Sequence, residues 1–166
     1  MTRIVALIAA VSAALSCFAV PRAEAQTAQD LVGTWILVSA TIQAGEVKMD
    51  VYGPDPKGTL IFGSDGRYAL IFMRRDLPKL TYNTRMSQTV EESRAITKGS
   101  IAHFGTYRVE EDEAGKALML HIEGSTFPNW AGTEQRRPFS LSGDELTYIS
   151  PGSSGVATDI VLRRAK

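Results

Sequence analysis

Apolar and polar residues alternate along most of this chain in short runs, cut by glycine, proline and acidic turn residues. That is the rhythm of strands rather than of helices. The first run, Asp30-Leu31-Val32-Gly33-Thr34-Trp35-Ile36-Leu37-Val38-Ser39, reads as one irregular or 3₁₀ turn leading into a long strand over 33–43. Gly33 lets the backbone pass close to a neighbour, and Trp35 follows on the same face, large enough to plug one end of a small barrel. A buried indole N–H in that place needs a carbonyl partner. A turn at Ala44-Gly45-Glu46 precedes a short strand over 47–51. Two prolines and two glycines make Tyr52 to Gly58 a shaped loop. Thr59 to Phe62 and Arg67 to Met73 flank Gly63-Ser64-Asp65-Gly66, and Asp-Gly between β-rich runs signals a hairpin.

One stretch breaks the strand rhythm. After a polar, irregular segment over 74–86, Ser87 or Thr89 can cap a helix whose first turn carries Glu91 and Glu92, running to about Gly99. The β pattern then resumes with a hairpin, Ala102 to Glu110 and Lys116 to Glu123, around Glu111-Asp112-Glu113-Ala114-Gly115. A connecting segment, Ser125 to Gly132, leads to strands near 133–141, 144–150 and 156–164. About eight strands in sequence, mostly joined by short turns, predict an all-β, up-and-down antiparallel barrel with one short helix.

The N-terminus lies outside that pattern. Arg3, the small-residue apolar run Ile4 to Val11 and Ala23-Glu24-Ala25 match the three regions of a secretory signal peptide. The apolar stretch is too short for a comfortable membrane span. The chain therefore divides into a signal peptide, 1–25, and one barrel domain, 26–166, exported to the periplasm or secreted. Cys17, the single cysteine, leaves with the signal, so the mature protein has no disulfide. The surroundings of Cys17 fit a lipid-acceptor cysteine poorly. Residues 1–25 also carry Arg3, Arg22 and Glu24, so 16 of 18 basic and 17 of 18 acidic groups remain, a net charge of −1. A near-neutral chain without a basic run offers no footprint for nucleic acid or for stable membrane insertion. Nothing in the pattern sets an oligomeric state.

Four motifs recur in a recognisable order: Leu31-Val32-Gly33-Thr34-Trp35 with Leu37-Val38-Ser39; Tyr52-Gly53-Pro54-x-Pro56-x-Gly58-x-Leu60-Ile61; Phe104-Gly105-Thr106-Tyr107; and Phe127-Pro128-Asn129-Trp130-x-Gly132-Thr133. Together they resemble the bacterial lipocalin-like domain family over nearly the whole mature chain. The resemblance implies a calycin-type barrel whose floor is closed by Gly33 and Trp35, with a basic residue of the last strand, Arg163 or else Arg164, against the ring. It implies no settled activity. The disulfide and the Thr-Asp-Tyr-type loop motif of animal lipocalins are missing, which argues against retinoid-like ligands.

Candidate chemistry is sparse. His103 and His121, with no cysteine in the mature chain, fall short of a zinc ligand set, so no metal is expected. No Gly-x-Ser-x-Gly elbow or Gly-rich phosphate loop is present, so no cofactor is expected. If Val109 pairs with Met119, Tyr107 stands opposite His121, either as a polar corner or as an acid–base pair. One arginine of Arg74-Arg75 and of Arg136-Arg137 can turn inward and clasp a carboxylate. Phe62 and Phe104 are among the aromatics that either fill the barrel or line a cavity. The ligand-binding candidates are Tyr52, Tyr68, Phe72, His103, Tyr107, His121, Phe127, Trp130 and Tyr148. The loop 52–58, the segment 127–132 and the helix form the mouth, with Tyr107 and His121 as the deeper polar anchor.

The leading expectation is a barrel that binds a small hydrophobic or amphipathic molecule. The alternative is a cofactor-free isomerase or cyclase using Tyr, His and Arg side chains on an enolisable substrate. A filled barrel serving as an interaction module is the third reading. Protein recovered from the periplasm or the medium should begin at Gln26; N-terminal mass mapping that finds Met1, or a lipidated Cys17, would refute export by this signal.

Overall fold

In the computed structural model, which describes residues 27–166, the long first strand serves three partners. The expected signal peptide, 1–25, lies outside the described residues. A single helical turn, α1 (Ala28–Leu31), leads into β1 (Gly33–Ala44). The start of β1 pairs with β3 (Lys57–Phe62), most of its length with β9 (Thr158–Arg164), and its far end with the short β2 (Val47–Asp50). Between them run β4 (Arg67–Met73), the helix α2 (Val90–Gly99), β5 (Ser100–Asp112), β6 (Gly115–Ser125), β7 (Glu134–Ser142) and β8 (Glu145–Ser150). All pairings are antiparallel, and β1, β3, β4, β5, β6, β7, β8 and β9 close on one another. This is the expected eight-strand barrel, with β2 as an added hairpin arm. Closure removes every free edge from the barrel wall. Among the described residues no helix is long and apolar enough to cross a membrane.

The period of two sorts each strand into faces. Tyr68, Leu70 and Phe72 of β4, Leu146, Tyr148 and Ser150 of β8, and Thr158, Ile160 and Leu162 of β9 are buried, while their neighbours face out. α2 begins where the acidic first turn predicted. The Thr89 hydroxyl accepts from the Glu92 N–H at 3.1 Å, and the Glu92 carboxylate accepts from the Thr89 N–H at 2.8 Å. The same carboxylate accepts from the Thr81 N–H and hydroxyl at 2.7 and 2.8 Å, tying the preceding loop to the helix. These bonds hold the Glu92 carboxyl below the usual carboxylate range.

The floor is built from both ends of the described chain. Trp35 is fully buried, and its indole N–H donates to the Leu31 carbonyl at 2.8 Å. The Arg164 guanidinium stacks over the indole, 4.2 Å from the ring centroid, and donates to the carbonyls of Asp30 and Val32 at 2.7 and 3.0 Å. It thereby satisfies acceptors that the end of α1 leaves open. Gly33 has φ +130°, and a Cβ there would stand 3.3 Å from Arg164 Nη1, so glycine meets both a backbone and a space requirement.

The partner of Trp35 is thus Arg164, and Arg163 is corrected to an outward residue. The register explains it: Trp35 faces Arg164 and Ile36 faces Arg163, and directly opposed residues share a face of the sheet. The floor also takes Phe62 and Tyr107, whose ring centroids are 4.6 Å apart, with the Tyr107 hydroxyl donating to the Gly63 carbonyl at 2.9 Å.

Trp35→Ala should destabilise the fold by ~3–5 kcal/mol, as large-to-small changes in a core do. Arg164→Ala should cost ~1–2 kcal/mol through the lost cation–π contact. Denaturant melts measure both, and a Trp35→Ala value within ~1 kcal/mol of the parent would show that Trp35 is no plug.

Candidate functional site

At the end opposite Trp35, the strands diverge around a cavity of about 320 Å³. Its walls come from the inward positions of β4, β5, β8 and β9, and its rim from the Val51–Tyr52 loop, α2, the Phe127–Trp130 segment and the 152–154 turn. Lys98 of α2 and Ser153 and Ser154 of that turn are exposed, so the cavity reaches solvent between them. Local sequence shapes each rim element. Tyr52 folds inward against Phe72, ring centroids 6.3 Å apart edge to face, where Gly53 reverses the chain at φ +67°. Pro128 starts a 3₁₀ turn ending at Trp130, and the segment is tied to β6 by the Gly132 N–H donating to the Ile122 carbonyl and the Ile122 N–H donating to the Thr133 carbonyl. Trp130 then lies edge-on to both Phe127 (5.6 Å) and His103 (5.7 Å). It covers the mouth rather than packing on the outer wall.

Below this apolar collar sits a buried polar chain. Arg137 of β7 is 1% exposed. Its Nη2 donates to the Gln135 side-chain oxygen at 2.8 Å and reaches His103 Nε2 at 3.5 Å, and its Nη1 reaches the Tyr148 hydroxyl at 3.5 Å. The guanidinium carbon stands 5.3 Å from the Tyr148 ring centroid and 5.8 Å from that of Trp130. Nε has no hydrogen-bond partner among the described residues. A guanidinium can only donate, so His103 Nε2 accepts and Nδ1 carries the ring proton. That proton is then donated to the Tyr68 hydroxyl at 2.9 Å. Burial, and then the charge of Arg137, push the His103 imidazole down to about 3. Burial also pushes the Tyr52, Tyr68 and Tyr148 phenols up, so all three remain neutral hydroxyls at neutral pH.

Most of the expected binding residues meet here. Tyr52, Phe72, His103, Phe127, Trp130 and Tyr148 line the cavity, and Tyr68 supports His103 from behind. Tyr107 does not belong: its hydroxyl is committed to the floor. His121 is exposed on the outer face, opposite Thr106 and Glu134. The expected Tyr107–His121 pairing is corrected by one residue, Tyr107 facing Leu120 and Val109 facing Leu118. The turn enforces this: the hairpin turns on Glu113 and Ala114 alone, with Asp112 paired to Gly115, and that register holds back to Gly105 opposite Ile122. A bulge at Glu123 then shifts the ladder by one residue, so that Phe104 pairs with Gly124. A Cβ on Gly105 would lie within 1.9 Å of the His121 carbonyl oxygen, so glycine permits the close approach at that bulge. Phe104 is half exposed on the outer face over Gly124.

Of the two arginine pairs, Arg137 alone turns inward. Arg136 pairs with Asp112, Arg74 with Asp76, and Arg75 donates to the Asp55 carbonyl. The polar residues that sequence reasoning passed over are Gln135, Ser150 and Thr158, all buried. Strand alternation from Arg137, Tyr148 and Ile160 was the signal that could have found them.

Comparison with known proteins agrees with this architecture. Residues 32–158 match the family described as the lipocalin-like domain, and the chain belongs to that family. A protein of Aspergillus oryzae named a 4'-hydroxy-3'-methoxypropiophenone carrier protein is 28% identical over 85 residues, covering 48% of this chain and 77% of the relative.

The depressed His103 value carries a signed consequence. Free histidine binds a proton near 6.5 whereas folded His103 does so only near 3. Between those values the unfolded chain holds the extra proton, so folding stability falls as pH drops through this window. His103→Gln, which keeps an acceptor toward Arg137, should flatten the stability-against-pH curve there by up to ~1.4 kcal/mol per pH unit relative to the parent. Parallel curves from denaturant melts at pH 4, 5 and 6 would show that His103 protonates normally in the fold.

Proposed function

We propose that this lipocalin-like protein binds and carries one small, largely apolar molecule with a flat or aromatic body, after export by its N-terminal signal. The observation that carries the reading is the cavity of about 320 Å³, open to solvent at the rim, walled by aromatic and aliphatic side chains and ending on a buried polar cluster. Its size lies at the low end of small-molecule sites, roughly 300–1,000 Å³, and such sites pair apolar walls with a few placed polar groups. Rigid aromatic rim segments supply contact area with little entropy left to lose on binding. The relative's name speaks for a carrier of a methoxylated phenolic ketone. A molecule of that size, one ring with a short oxygen-bearing side arm, suits the volume and the apolar walls of this cavity.

The isomerase or cyclase alternative draws less support. Its acid–base pair, Tyr107 and His121, is divided between the floor and the outer face. His103, the histidine inside, is a weak base at neutral pH, with its free lone pair already turned to Arg137.

Native mass spectrometry of freshly purified protein should reveal a co-purified small molecule. Titration with apolar fluorophores and fatty acids should give saturable binding that Trp130→Ala and Phe72→Ala each weaken ~10–100-fold, the worth of one buried aromatic contact. His121→Ala, on the outer wall, should leave affinity unchanged. A well-folded parent that binds none of these compounds would favour the filled-barrel reading.

A further inference from the structure

We infer that the molecule held in this cavity is an organic acid whose carboxylate seats on Arg137; the inference rests on the binding reading above. Arg137 is 1% exposed, and its guanidinium makes no salt bridge among the described residues. A charge removed from water without a counter-charge is costly. The faces of Trp130 and Tyr148 offset part of that cost through cation–π attraction. The remainder marks a site that is electrostatically incomplete by itself.

The hydrogen-bond inventory points the same way. Nε–H is buried without a partner, and the Nη1 contact to the Tyr148 hydroxyl is long, 3.5 Å. The Tyr148 oxygen receives that contact, so its own proton remains to be donated. Arg137 and Tyr148 both line the cavity, and Nε–H and the Tyr148 hydroxyl proton are donors left without an acceptor beside it among the described residues. The acceptors beside Arg137, Gln135 Oε1 and His103 Nε2, are both turned to its Nη2. Among the described residues the charged groups lining the cavity are Arg137 and Lys98, with no aspartate or glutamate beside them. The buried Arg137 cation, the free N–H and O–H donors and an apolar collar select an amphipathic anion, with the solvated Lys98 ammonium outside that selection, and the planar guanidinium fork matches a carboxylate best. Arg137 also cannot be replaced by lysine without loss, because its fork is what holds Gln135, His103 and the ligand at once.

The test compares acids with their uncharged esters by calorimetric titration at neutral pH: cinnamate against methyl cinnamate, and decanoate against methyl decanoate. The parent should bind at least one acid at least tenfold more tightly than its ester, the scale of one charge-assisted hydrogen bond. Arg137→Met should erase that preference while ester binding survives. Lys98→Ala, at the exposed rim, should change the acid-to-ester ratio less than threefold. If Arg137→Met does not fold, the parent ratio and the Lys98→Ala ratio still decide the matter. Ester binding as tight as acid binding overturns the carboxylate inference and leaves the binding function standing. Loss of the preference in Lys98→Ala moves the anion to the rim and overturns the assignment to Arg137. A well-folded parent that binds neither member of either pair overturns both the carboxylate inference and the binding reading.

Discussion

The stack of Arg164 on Trp35 is the contact on which the rest of the molecule depends. One guanidinium, 4.2 Å above an indole, joins the end of the last strand to the beginning of the first and donates to two carbonyls around the opening helical turn. The same indole donates to Leu31, so α1, β1 and β9 are locked at one point. A barrel closed in this way has no free edges and one sealed end. The interior can then be dry, and the opposite end becomes the natural place for a ligand.

Burial in that interior gives the inner polar residues their character. His103 is kept neutral by burial and by its neighbour Arg137, and three tyrosines stay protonated for lack of solvent around a phenolate. Arg137 alone keeps a charge in this setting, supported by ring faces and neutral acceptors rather than by a carboxylate. Such a group is expensive to retain in a barrel that merely fills its own interior, since an apolar side chain of similar volume would pack there at lower cost. Its presence accords with a site that recognises something, and the apolar collar above it describes the body of what is recognised.

The outer wall follows a separate logic. Arg67–Glu123 reaches across β5, and Arg108–Glu134 and Arg136–Asp112 reach across β6, all at half-exposed positions, where ion pairs contribute little and screen readily. Phe104 lies over Gly124, shielding a glycine-weakened stretch of β6 beside the bulge. These features lie on the outer wall and do not touch the cavity.

The strands, the capped helix, the shaped loops and Trp35 as the floor were legible in the sequence because each depends on local chemistry: alternation, Asp-Gly turns, an acidic first turn, paired prolines. The aromatic members of the site were legible for the same reason, since Tyr52, Phe127 and Trp130 stand in segments whose prolines and glycines mark them as shaped loops. What only the tertiary structure decided was register. A two-residue turn set one hairpin a single position away from the expected pairing, which sent His121 outside and set Tyr107 opposite Leu120. The pairing of β1 with β9 likewise chose Arg164 over Arg163. Two adjacent residues of a strand are chemically alike to any sequence reading, yet a step of one exchanges the core for solvent. Arg137 was distinguished from Arg136 in that way alone, by which of two neighbouring guanidinium groups the closed barrel turned inward.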